Sequence, residues 1–152
     1  MLYNKYGDTM IGIANDHNGY ELKQELTKFL NEKGYNVIDF GSDNNKSDYP
    51  LYAFKVGEAI KENKIKYGIL ICKTGIGMSI ACNKVKGVRC SKVSNLEEVI
   101  LTRSHNDANV LALSSDLNID LIKEMIITFL TTESSKEERH MRRVELINNY
   151  DN

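Results

Sequence analysis

At 152 residues, with 41% hydrophobic and 27% charged side chains, the chain is sized for one globular domain with a core of its own. Twenty basic against twenty-one acidic residues leave a net charge of −1, which excludes a global field for nucleic acid or an anionic membrane surface, so anion recognition has to be local. Three cysteines, Cys72, Cys82 and Cys90, form neither a disulfide framework nor a metal-ligand spacing, and no apolar stretch approaches the roughly 20 residues of a membrane span.

A single domain is expected over 1–152, with 1–9 as a flexible tail, and MLYNKYGDTM has no apolar signal core, so the chain reads as cytosolic. MIGIAN, at Met10 to Asn15, is the first strand. NDHNG then places Asp16 and His17 at its end. Leu22, Leu26, Phe29 and Leu30 share one face of a first helix, and Gly34 follows it where a left-handed residue is favoured. NVIDF, at Asn36 to Phe40, is the second strand, and Ala53, Val56, Ala59 and Ile60 mark the buried face of the next helix.

YGILIC, at Tyr67 to Cys72, is the third strand, and KTGIGMSIA behind it reads as a glycine-rich turn opening a helix whose free amides suit an anionic oxygen. Neither a nucleotide-phosphate loop nor a dinucleotide fingerprint fits its spacing. Helix-end amides beside Cys72 would favour its thiolate, whereas Cys82 and Cys90 read as helix and strand packing. VRCSKV, at Val88 to Val93, is the fourth strand, and Asn95 with Glu98 caps a helix through Arg103. SHNDAN carries His105 and Asn106 ahead of the fifth strand, NVLAL at Asn109 to Leu113, so acid, base and donor types are expected along one edge of the sheet. Ile119 to Leu130 is a further apolar helix, and Ser135 with Glu138 reads as the capping box of a last helix toward Asn149. That helix carries Met141, Val144, Leu146 and Ile147 on one side and a basic cluster on the other, suited to a partner subunit or to packing on its own sheet. Arg139 and Arg143 share a helix face, as a phosphate clamp or a solvated patch.

Strands alternating with helices predict a Rossmann-like α/β three-layer sandwich, with about five parallel strands and helices on both faces. Within that frame, NDHNGYELK, DYPLYA, GILICKTGIGMSIACNKVKGVR, SHNDANVLAL and RHMRRV resemble, in order and spacing, the type B ribose-5-phosphate isomerases, a family that also holds galactose-6-phosphate and allose-6-phosphate isomerases. The resemblance spans Met10 to about Ile147. It implies metal-independent, cofactor-free interconversion of ribose 5-phosphate and ribulose 5-phosphate by a homodimer, or a tetramer of paired dimers, with active sites shared between subunits. It also implies roles: Cys72 as the base, Thr74 with the amides of Gly75 to Gly77 on the enediolate oxygens, and Asp16, Tyr49, His105 and Asn106 binding or opening the sugar ring. His105 is the favoured ring-opening group, and His17, Arg139 and Arg143 would hold the phosphate.

The chain departs from the resembled pattern at three places. Lys73 stands where a glycine is usual, Asp116 where an arginine helps hold phosphate, and Glu137 and Glu138 where glycines precede the Arg-His pair. Those changes keep in view another sugar phosphate as substrate, namely allose 6-phosphate, galactose 6-phosphate or a tetrose phosphate, and also a silent sugar-phosphate sensor. A thiol redox sensor would need a second cysteine beside Cys72.

Overall fold

The computed structural model describes residues 8–43 and 45–150, so most of the tail expected over 1–9 lies outside the described residues. Each apolar run becomes a strand: β1 (Met10–Asn15), β2 (Asn36–Asp39), β3 (Tyr67–Cys72), β4 (Cys90–Lys92) and β5 (Val110–Ser114). All pair in parallel, in the order β2-β1-β3-β5-β4. Alternation along the central strands sends successive side chains to opposite faces. Ile69 and Ile71 therefore join Leu26, Leu30, Ile122 and Phe129 in one core layer, and Leu70 and Cys72 join Val56, Met78 and Cys82 in the other. At about 1.5–3 kcal/mol for each large aliphatic side chain withdrawn from water, these two layers supply the main drive for folding.

Helices α1 (Tyr20–Glu32), α4 (Leu96–Asn106) and α5 (Ile119–Thr131) cover the first face, and α2 (Tyr49–Lys61) and α3 (Ile76–Cys82) cover the second. This is the three-layer sandwich that the sequence predicts. Gly34 takes φ +91° just beyond α1, and Pro50 sits in the first turn of α2, where its missing N–H costs nothing. No helix among the described residues is long and apolar enough to cross a membrane.

Local expectations are corrected at the fourth strand and the last helix, and Lys23 adds a buried charge that the apolar stripe does not announce. The fourth strand is shorter than Val88 to Val93 because only Cys90–Lys92 finds a partner, on β5. Lys23 lies on the buried face of α1, 2% exposed, donating at 2.9 Å to Asp39 and at 2.6 Å to the Ser42 carbonyl. The last helix, α6 (Glu138–Asn149), has Glu137 rather than Ser135 at its N-cap, and the Ser135 hydroxyl instead accepts from the Glu137 amide at 3.0 Å. Nor does α6 pack its apolar residues on the sheet: it rests against α4 and buries His140, while Met141, Leu146 and Ile147 stay exposed.

Candidate active site

The chain order reverses direction between β1 and β3, since β1 leads outward to β2 and β3 leads the other way to β5. Crevices at such points, beyond the carboxyl ends of the strands, are where open α/β sheets hold ligands. Asp16 follows β1, and its amide donates to the Ile71 carbonyl at 2.9 Å, which seats it beside Cys72. That approach requires Gly19, where a Cβ would lie 2.5 Å from the Ile71 side chain. The Asp16 carboxylate is 7% exposed and caps a short 3-10 turn, His17–Gly19, accepting from the Asn18 amide at 2.9 Å and the Asn18 side chain at 3.1 Å. His17 opens the turn and is exposed at the same edge.

Cys72 ends β3 with 5% of its surface exposed, and its sulfur accepts from the Gly75 amide at 3.1 Å. Gly75 can turn back in this way because it adopts φ +79°, and a Cβ there would press within 3.1 Å of the Leu113 backbone. The Thr74 hydroxyl accepts from the Ile76 amide at 3.2 Å. Of the three amides expected to face an oxygen, Gly75 thus points at sulfur and Ile76 at Thr74, while Gly77 lies in the first turn of α3, which lacks intrahelical acceptors. Tyr49 leans over Gly77, where a Cβ would sit 2.7 Å from the ring and 3.0 Å from the hydroxyl oxygen.

The two departures flanking this edge meet each other. Lys73 Nζ donates to Asp116 Oδ1 at 2.9 Å, and Ser114 Oγ donates to the Lys73 carbonyl at 2.7 Å while accepting from the Asp116 amide at 3.1 Å. The positive charge entering and the negative charge entering neutralise one another at the mouth of the crevice. Cys82 and Cys90 meet as well: the hydrogen-bonding contact with Cys82, then burial, pushes the Cys90 thiol well above its ordinary range. Both are packing residues, as the sequence predicts.

His105 and Asn106 do not join this edge, contrary to expectation. They close α4, which runs back against the strands, and the chain enters β5 at Val110, so they lie at the amino ends. Asn109, next along, accepts from the Gly68 amide at the start of β3. Arg139 and Arg143 belong to that far end too, because α6 packs on α4 there and Asn148 accepts from Arg89 just ahead of β4. The His105 and His140 rings stack with centroids 4.2 Å apart. Arg139 pairs with Glu137 at 3.0 Å. One chain therefore groups Asp16, His17, Tyr49, Cys72, Thr74, Gly75 and Gly77 at one edge and His105, Asn106, Arg139 and Arg143 at the other. Gly19, a glycine one turn after an acidic strand end, and His140, which the sequence shows only as a neighbour of the two clamp arginines, take on structural roles that local pattern does not assign.

Comparison with known proteins agrees with this architecture. A family profile described as Ribose/Galactose Isomerase matches residues 11–147. The ribose-5-phosphate isomerase B of Escherichia coli is 40% identical over 139 residues, covering 90% of this chain and 93% of that one. The structure of the Clostridium thermocellum ribose-5-phosphate isomerase B superposes with a TM-score of 0.90 at 43% identity, over 94% of this chain and 97% of that one. The Mycoplasma genitalium enzyme, solved with bound ribulose-5-phosphate, gives a TM-score of 0.90 at 37% identity over 96% and 98%. Fold and sequence similarity over nine-tenths of its length agree: the chain belongs to the ribose/galactose isomerase family, as an enzyme of the ribose-5-phosphate isomerase B type.

Proposed function

We propose that the chain interconverts ribose 5-phosphate and ribulose 5-phosphate within pentose phosphate metabolism, as a dimer whose sites draw on both subunits. The observation that carries this reading is the crevice between β1 and β3, where the buried Cys72 sulfur receives an amide hydrogen bond beside the carboxylate of Asp16. The Cys72 thiolate takes the proton from C2 of the open-chain aldose, the electron pair moves into a C1–C2 double bond, and the carbonyl oxygen becomes an enediolate oxygen. The C2 hydroxyl proton passes to the C1 oxygen, the C2 oxygen's electron pair forms the new carbonyl, and the C1–C2 double-bond pair takes the proton back from Cys72 at C1; this gives the ketose and regenerates the thiolate, so one base serves both carbon steps. Thr74, just ahead of α3, and the Gly77 amide in its first turn beneath Tyr49 would donate to the oxygen that gains charge, and donors fixed there favour the transition state over the ground state.

Dimerisation supplies what one chain separates. Apolar Ile76 and Ile80 are exposed on α3 near the Cys72 edge, and Ile100 and Leu101 are exposed on α4 near His105. A two-fold contact covering both patches would carry His105, Asn106, Arg139 and Arg143 of one subunit toward the crevice of the other. His105 then opens the sugar ring, and His17 with the two arginines holds the phosphate.

The test is conversion of ribose 5-phosphate by the purified protein with a chelator present, beside Cys72→Ala. Turnover should fall by at least about a thousandfold in the variant while the folded structure persists, as expected for removal of the proton-transferring group. Near-native turnover by Cys72→Ala would remove the thiol from the mechanism. A folded parent active only on allose 6-phosphate or galactose 6-phosphate would move the substrate, and one that binds sugar phosphate without turning it over would make it a sensor.

A further inference from the structure

His140 is a buried histidine that the mechanism above does not use. It is 6% exposed, and its ring stacks on that of His105 at 4.2 Å with the planes tilted by 36°. His105 itself is exposed, at the end of α4, so this stack is a contact that fixes where its imidazole points. The two rings share a cavity of about 440 Å³ between α4 and α6, which Ser104, Asp107, Lys136 and Glu145 also line.

We propose that His140 is the positioning residue for the ring-opening histidine: a neutral imidazole platform that orients His105 and leaves the relayed proton to it. This deepens the reading of His105 given above and rests on it. Nδ1 of His140 is buried with no hydrogen-bond partner among the described residues, so an N–H there would be a donor without an acceptor. The unprotonated form is the one the site accommodates. Burial, then His105, Arg139 and Arg143 lower its pKa from the ordinary 6.5, with Glu137 alone opposing them. Two stacked imidazoles also resist carrying two protons at once.

For ribose 5-phosphate the ring-opening step is proton-neutral. His105 takes the proton of the C1 hydroxyl, the O–H pair forms the C1 carbonyl, the C1–O4 bond breaks with its pair on O4, and the proton passes from His105 to O4. A proton resident on His140 would hinder the first half of that relay, and a loose His105 ring would miss both oxygens.

Ring opening and enediolate chemistry can be read separately. Ribulose 5-phosphate is open-chain because its C5 oxygen carries the phosphate, so exchange of its C1 proton with deuterated water needs Cys72 but no ring opening. In His140→Ala, kcat for isomerisation should fall about tenfold, with KM for ribose 5-phosphate and the C1 exchange rate within about twofold of the parent. His140→Phe, which keeps an aromatic platform that cannot be protonated, should recover most of the loss; it also serves as the test if His140→Ala fails to fold. Unchanged isomerisation in both variants overturns the proposal, and so does a parallel fall of isomerisation and exchange, which would mark a general structural role. Failure of the underlying reading would look different: His105→Asn would isomerise as fast as the parent.

Discussion

Lys73 and Asp116 depart from the pattern that the sequence resembles, and each alone would put a net charge at the mouth of the crevice proposed to receive a phosphorylated sugar. Their pairing at 2.9 Å, with both side chains more than 60% exposed, contributes at most about 1 kcal/mol to stability, because solvent screens such a pair. Its weight falls on substrate capture instead. Asp116→Ala leaves an unmatched ammonium and should lower KM for the dianionic substrate about threefold, whereas Lys73→Ala leaves an unmatched carboxylate and should raise it by a similar factor. The double variant should return close to the parent. Steady-state kinetics at low and high salt check the assignment, since the opposed shifts must shrink together as salt screens them. The histidines illustrate a separate lesson of residue identity: His105 was legible as a candidate because it stands in a short polar stretch, SHNDAN, ahead of an apolar strand, but its neighbour His140 lay hidden among arginines that read as one basic face.

At the scale of elements, strands were the most legible part, because runs such as YGILIC are buried at all six positions and have no polar face to blur them. Strand β4 was less so: its three residues sit at the sheet edge beside β5 only, and pairing rather than apolarity sets its ends. Helix α1 shows a different limit. Its stripe predicts Leu26 and Leu30 inward, yet Lys23 joins them because Asp39 and the Ser42 carbonyl, both from the segment that leaves β2, supply partners that no local pattern announces. Asp39 in turn accepts from the Gly41 amide at 2.8 Å, so one ammonium ties α1 to the loop beyond the second strand. Asp39→Ala would strip the carboxylate from a buried lysine and should cost about 3 kcal/mol in denaturant unfolding. Lys23→Met, which removes the charge along with its need for a partner, should cost less, and the reverse order would mean that the clamp is not electrostatic.

For the whole molecule, candidate residues could be picked out one by one in the sequence, but their placement at opposite ends of the sheet could not. Parallel strands joined by helices put the residues leaving a strand and those entering one at opposite ends of the sheet, so His105 could not share an edge with Cys72 however suggestive its company. A shared site predicts complementation. Cys72→Ala and His105→Asn, each inactive alone, should regain about a quarter of parental activity when subunits are mixed and re-paired, because half the dimers would then hold one intact site out of two. Continued inactivity of the mixture, with exchange verified by mass, would place both groups in one chain's site. The separation has a further consequence. If, as proposed, each chain carries half of the chemistry at either end of its sheet, dilution below the dimer dissociation constant should make specific activity fall in proportion to protein concentration, and total rate should then rise as its square. On that proposal catalysis is set by abundance as well as by sequence.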